Sequence, residues 1–264
     1  MTISKTDIIP AVTAIDCGNT SLDMAKVRGQ DVFDFQKLLL KEIHLLPEVI
    51  EKLHASGESS KAVVACSVND EVFPEAKKII EKVTKHKIKV VGPDLPLPLP
   101  VRMSCNKHIG ADRVCAAAAA YDRLGKPCVI ADFGSAITID CVGEGGIFLG
   151  GAIMPGLGMS AESLAEKTSR LPHIEPGEPE HKLSLETPEA IKNGLVNGAR
   201  HVLKGFVETY ATELARWPEV ILTGRDAGII CPEGTDRGIV TAVVEDLTIR
   251  GIAMAYYNSL LDNK

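Results

Sequence analysis

Two aspartates, each followed two residues later by a glycine, are the first residues in this chain with the types and spacing for chemistry. Asp16-Cys17-Gly18 runs into Asn19-Thr20, and 116 residues later Asp132-Phe133-Gly134 runs into Ser135-Ala136. Each copy closes an apolar run, AVTAID in the first and CVIAD in the second, so each carboxylate is expected at the end of a buried strand. A single Asp-x-Gly is most often a tight turn and nothing more. Two copies at matching points shift the balance, because glycine lets the backbone approach a phosphate closely and the N–H groups that follow can point into one anion site. Facing aspartates beside such loops would hold hydrated Mg²⁺ or another cation next to a triphosphate. The pair reads as two hairpins that grip one nucleotide.

A third stretch, Gly110-Ala111-Asp112-Arg113, opens the alanine-rich run ADRVCAAAAAYDRLG over 111–125, which predicts a helix. A carboxylate at a helix N-terminus beside a guanidinium can accept a proton while the guanidinium holds an anionic substrate. The same residues also make an ordinary helix start, with Asp112 as the cap and Arg113 as its partner, and by themselves they do not choose between the two readings.

The elements that position these residues follow from the apolar pattern. Strands are expected at 11–16, 23–27 and 32–35, a helix at 47–57, a strand at 61–68 and a helix at 71–86. The stretch GPDLPLPLPV (92–101) continues neither element, since its prolines remove backbone donors, and it marks the joint between two halves, 1–105 and 106–264. The basic run KIIEKVTKHKIK (78–89) alternates with apolar residues and reads as a solvated helix face. The second half has the helix over 111–125, the strands CVIADFG and AITIDCV, and a short strand near GGIFLGG. Helical patterns follow at 156–169, 188–216 and 238–261, interrupted by a strand at 219–224. Each half thus opens with an antiparallel meander that carries Asp-x-Gly at its first turn, giving an α/β protein with a duplicated architecture.

Composition narrows the partners. The 264 residues are 45% apolar and 24% charged, enough for an ordinary core, and the net charge of −6 offers no basic face for nucleic acid or an anionic membrane. The seven cysteines form no Cys-x-x-Cys, and several sit in apolar runs where a reduced thiol packs as a small hydrophobe. The first residues lack the pattern of a secretory leader and no run reaches the roughly 18 apolar residues of a membrane span, so the chain is expected in the cytoplasm. Its histidines show no ligand spacing with one another or with cysteine, and only His108 stands near one of the three motifs.

Taken together the motifs resemble the actin, sugar kinase and Hsp70 superfamily, and within it the type III pantothenate kinases. DCGNTSLD (16–23) resembles that family's first phosphate loop, IGADR (109–113) its substrate loop and DFGSAIT (132–138) its second phosphate loop. GGAIMPGLGMSAESLAEKTSRLP (150–172) resembles its dimer-side segment, and ETPEAIKNG (186–194) a segment that reaches the partner's site. The resemblance implies two ribonuclease H-like, actin-like ATPase halves with an active site in the cleft between them. It also implies ATP-dependent phosphorylation of pantothenate to 4'-phosphopantothenate, the first step towards coenzyme A, by a homodimer.

Carried onto this chain, the resemblance implies that Asp16, Cys17, Gly18, Asn19 and Thr20 lie at ATP, continuing through Ser21, Leu22 and Asp23, with Ser135 and Thr138 opposite. Asp16 would stand at Mg²⁺, directly or through water, and Asp132 at a monovalent cation, K⁺ or NH₄⁺. Gly110, Ala111, Asp112 and Arg113 would line the pantothenate site, with Asp112 as general base and Thr187 supplied by the neighbouring subunit. The chain departs from the family pattern in several places. Met103 stands where a tyrosine is expected, Cys105-Asn106 replaces Asn-Pro, Arg225 replaces the second glycine of Thr-Gly-Gly, Ala25 replaces a glycine, and Ser135 replaces the commoner threonine. Two alternatives follow from these departures and from kinship with the Bvg accessory factor group: a kinase of another small hydroxy acid, and a non-catalytic regulator. Retention of Asp16, Asn19, Asp112, Arg113 and Asp132 speaks against the regulator.

Overall fold

The computed structural model describes residues 9–57, 59–102, 109–232 and 238–262. Met103, Cys105, Asn106 and His108 lie outside the described residues. Two compact units emerge: Met1–Leu99 with Lys107–Ala119 and Asp246–Lys264, and Pro100–Asn106 with Ala120–Glu245.

In the first unit β1 (Val12–Cys17), β2 (Ser21–Arg28) and β3 (Asp31–Leu39) form an antiparallel meander, and β4 (Ala62–Ser67) and β5 (Ile88–Val90) add in parallel on the other side of β1. The order is β3-β2-β1-β4-β5. Side chains alternate across a strand, and here both faces are covered, which explains why β1 and β4 read as continuous apolar runs. Ile15 and Cys17 of β1, with Val63 and Ala65 of β4, pack against Leu46, Ile50 and Leu53 of α1 (Leu46–Ala55) and Ala76 and Ile80 of α2 (Phe73–Thr84). Val12 and Ala14, with Ala62, Val64 and Cys66, face α3 (Ala111–Leu124) and α7 (Leu247–Asp262) through Cys115, Ile249, Ile252 and Ala253. A lysine within this meander, Lys26, is 2% exposed and donates to the carbonyls of His54 and Ser56 at the end of α1, where a cation suits the helix dipole.

The second unit repeats the plan. β6 (Cys128–Phe133), β7 (Ala136–Val142) and β8 (Phe148–Pro155) form the meander, and β9 (Glu219–Thr223) and β10 (Ala242–Val243) add in parallel, in the order β10-β9-β6-β7-β8. Read from the meander edge, the two sheets have the same order and the same strand directions. The long helix α5 (Thr187–Glu213) covers one face with Val196, Ala199, Leu203 and Val207 against Val129, Ala131, Phe133, Val220 and Leu222. Between the sheet and α5 in sequence lies α4 (Leu157–Lys167), and a single turn, α6 (Ala227–Ile230), follows β9.

Three elements differ from the sequence reading. The helical pattern at 238–261 contains β10 at Ala242–Val243, and its helix begins only at Leu247. The basic run 78–89 leaves α2 after Thr84, where Lys85 turns left-handed at φ 60°, and then enters β5. β3 extends to Leu39 and leads into a 3-10 turn over Leu40–Leu45. Strands of two or three residues are too short to display a period, so neighbouring helical patterns absorb them.

Candidate active site

Strand alternation assigns Asp16 its position in the first unit. Val12 and Ala14 face α3 and α7, so Asp16, two residues on, belongs to the same face, and in the β1–β4 register it lies beside Cys66. On α3, Asp112 precedes Cys115 by three residues, a spacing that puts both on one side of a helix. Cys115 packs in the same core as Cys66, and the Cys66 thiol is pushed up by its hydrogen bond to Cys115, by burial and by the charges around it, Asp16 and Asp112 among them. One buried thiol thus marks the neighbourhood of both carboxylates. Asp112 sits in the first turn of α3, where its Oδ1 accepts the Arg113 backbone N–H at 2.8 Å and folds back over Gly110. A Cβ on Gly110 would lie 2.4 Å from that oxygen, so glycine at this position is needed for this carboxylate conformation.

The first loop is a three-residue turn, Gly18-Asn19-Thr20. Gly18 N donates to Ser21 O at 3.0 Å, Leu40 N to Thr20 O at 2.9 Å, and Asn69 Nδ2 to Gly18 O at 3.4 Å, while Asn19 and Thr20 face solvent. These contacts fix the loop from both flanks and leave its side chains outward. Cys17 and Leu22 are fully buried among the α1–α2 core residues, so only their backbone can meet a ligand. Asp23 stands directly opposite Asp16 in the ladder, a like-charge juxtaposition that Ser21 Oγ (2.9 Å) and Lys37 Nζ (2.7 Å) offset at the Asp23 carboxylate. That bonding ties the start of β2 to β3 through Asp23.

The second loop is shorter by one residue, Gly134-Ser135, with Gly134 N donating to Ala136 O at 3.1 Å. Asp132 pairs across the ladder with Thr138, so a hydroxyl takes the position that Asp23 holds in the first unit. The Asp132 carboxylate fills a notch left by two glycines: a Cβ would be 3.3 Å from its Oδ1 at Gly134 and 2.3 Å at Gly224, whose φ is +90°. Gly156 closes the loop from below, its N donating to Ser135 O at 3.1 Å and its missing side chain leaving room for the Gly134 and Ser135 carbonyls. Thr187 is exposed in the first turn of α5.

Sequence reasoning missed Asp226. It follows β9, is 5% exposed, takes Arg225 Nε on its Oδ1 at 3.0 Å and donates its N–H to Phe133 O at 2.9 Å. The only signal was an aspartate just past an apolar strand, which alone reads as a turn. Among the described residues no three His, Cys, Asp or Glu side chains gather into a metal cage.

Comparison with known proteins fits this geometry. The sequence model of the type III pantothenate kinase family matches residues 12–209. A type III pantothenate kinase from Dehalococcoides mccartyi is 32% identical over 252 residues, 93% of this chain and 96% of the relative. Among solved structures, a Campylobacter jejuni protein of the Baf family of transcriptional activators has a TM-score of 0.61 at 19% identity, covering 94% of this chain and 99% of its own. The activator of the 2-hydroxyisocaproyl-CoA dehydratase from Clostridium difficile, with bound ADPNP, has a TM-score of 0.54 at 12% identity, covering 96% of both chains. These two carry the fold alone, the actin-like ATPase architecture of duplicated α/β units. With its three motifs in order and a family match that spans most of its length, the chain belongs to the type III pantothenate kinase family.

Proposed function

We propose that this chain transfers the γ-phosphoryl group of ATP to the primary hydroxyl of pantothenate, in the cytoplasm and as a homodimer. The observation that carries the reading is the placement of Asp16 and Asp112 on the two sides of one packing contact: Asp16 lies beside Cys66 in the β1–β4 register, and Asp112 lies one turn before Cys115 on the helix that packs against Cys66. In the reaction the pantothenate oxygen forms a bond to the γ-phosphorus, its proton passes to the Asp112 carboxylate, and the bond from the γ-phosphorus to the β,γ-bridging oxygen breaks to release ADP. Phosphoryl transfer asks the protein chiefly for alignment and charge neutralisation. In the first loop the backbone N–H groups of Asn19 and Thr20 and the Thr20 hydroxyl suit phosphate oxygens, and in the second the Ser135 N–H and the hydroxyls of Ser135 and Thr138 do, the Gly18 and Gly134 N–H groups being spent within their own turns. Arg113 holds the pantothenate carboxylate, which orients the hydroxyl towards Asp112.

Asp16 would hold Mg²⁺ beside the phosphates and Asp132 would hold K⁺ or NH₄⁺; both cations supply positive charge to the triphosphate. For the dimer, Ile153 and Met159 are 63% and 50% exposed, and both belong to the 150–172 segment that the family resemblance assigns to subunit contact.

Pantothenate-dependent ADP release, measured with Mg²⁺ in buffers differing only in the monovalent cation, tests the reading. Activity should require K⁺ or NH₄⁺ and fall when Na⁺ replaces them. Equal rates in purified sodium and potassium buffers would remove Asp132 from the cation role, and absence of pantothenate-dependent ADP release in every buffer would remove the kinase reading itself.

A further inference from the structure

We propose that Arg225 binds the phosphates of the nucleotide and sets its affinity, an inference that rests on the kinase reading above. Its backbone is pressed against the second loop. Gly224 lies so close to the end of β6 that a Cβ would come within 2.3 Å of Asp132 Oδ1 and 2.6 Å of the Phe133 backbone, and Asp226 N donates to Phe133 O at 2.9 Å. Residues 224–226 therefore lie along the carboxyl ends of the parallel strands β6 and β9, the edge at which open α/β sheets bind ligands.

The guanidinium itself is aimed. Its Nε donates to Asp226 Oδ1 at 3.0 Å, and its Nη2 passes 3.7 Å from where a Cβ on Gly158 would stand, over the first turn of α4. That turn carries no acidic side chain, and its N-cap Gly156 is bonded to Ser135 of the loop. The Asp226 side chain is 7% exposed while that of Arg225 is 55% exposed. Among the described residues Asp226 Oδ2 accepts no hydrogen bond and the Arg225 Nη groups donate none.

A pair built only for stability would close side-on, with both carboxylate oxygens taking two guanidinium N–H groups, because a buried carboxylate with one oxygen unbonded is costly. Here Asp226 grips the inner nitrogen alone, which leaves the outer fork of Arg225 over the first turn of α4, whose N-cap Gly156 is bonded to Ser135 of the second loop. A planar two-nitrogen fork fits two oxygens of one phosphate. Asp226 is the positioning residue for that fork.

Calorimetric titration of the whole protein with ADP and with adenosine, for wild type, Arg225→Ala and Arg225→Lys, tests the assignment. Arg225→Ala should weaken ADP about 10- to 100-fold, the range expected for losing a charge-assisted hydrogen bond, and leave adenosine unchanged. Arg225→Lys, which keeps the charge without the fork, should fall between the two and guards against a variant that fails to fold. In kinetics the KM for ATP should rise while the KM for pantothenate holds. ADP affinity unchanged in both variants would overturn the inference, as would an equal loss of adenosine, which would move the contact from the phosphates to the nucleoside. A wild-type protein that binds no ADP would overturn the kinase reading and this inference with it, a result distinct from either of the others.

Discussion

At the scale of single residues the account turns on what Asp112 does besides starting a helix. Asp112→Asn keeps the shape of the side chain and most of its capping ability but removes its charge and its capacity to take a proton. General-base catalysis contributes on the order of 10² to 10⁴ in rate, or roughly 3 to 5 kcal/mol of barrier. Steady-state turnover of Asp112→Asn should fall by about that factor with melting temperature and ADP affinity nearly unchanged; a variant that turns over near the wild-type rate would make Asp112 a cap only. The positions of these residues were legible in the sequence, because Asp-x-Gly marks the turns after β1 and β6 and Gly-Ala-Asp-Arg the start of α3. Strand alternation even tells which face Asp16 takes. What could not be read is what the neighbours do: that Lys37 and Ser21 engage Asp23, that Cys17 and Leu22 turn their side chains into the core, and that Asp226 grips Arg225 from beneath. Those are tertiary outcomes with no local pattern.

Among the elements, α3 carries Asp112 and is held by α7 at a very short backbone separation. A Cβ on Gly251 of α7 would lie 1.8 Å from the Cys115 carbonyl oxygen, on the helix turn that follows Asp112. Alanine is the better helix former by roughly 1 kcal/mol, yet here the added methyl must drive two backbones apart, an overpacking that typically costs about 1 to 3 kcal/mol. Gly251→Ala should lower the melting temperature by several degrees and also depress kcat, since α3 moves with its carboxylate. Gly194 in α5 is the control: nothing lies within 4 Å of its absent Cβ, so Gly194→Ala should be neutral or stabilising. Calorimetry and turnover on the two variants check this, and a Gly251→Ala protein as stable and active as wild type would contradict the role given to the α3–α7 contact. The meanders, α1, α2 and α5 were readable from their periods. The return of α7 to the first sheet was not, because a contact between residues 115 and 251 leaves no trace in either local sequence.

For the whole molecule, duplication is the organising fact. Two sheets of identical order each present an Asp-x-Gly loop, but the loops differ by one residue and by Asp23 against Thr138 in the ladder, so the two copies are not equivalent. The proposed homodimer has its own consequence. If Thr187 completes the neighbouring subunit's pantothenate site, Thr187→Ala mixed with Asp112→Asn under conditions of subunit exchange should regenerate some dimers with one intact site. Activity should then rise above that of either variant alone; no rise despite demonstrated exchange would mean that each site is built within one chain.

The most direct measurement of the central claim is the product itself. Purified wild-type protein incubated with ATP, Mg²⁺, K⁺ and pantothenate, followed by mass spectrometry of the acceptor, should yield 4'-phosphopantothenate in equal amount to the ADP formed, in preference to any product from other small hydroxy acids supplied in parallel. Unmodified pantothenate from a folded, ATP-binding protein, or phosphorylation confined to a different hydroxy acid, would contradict the account.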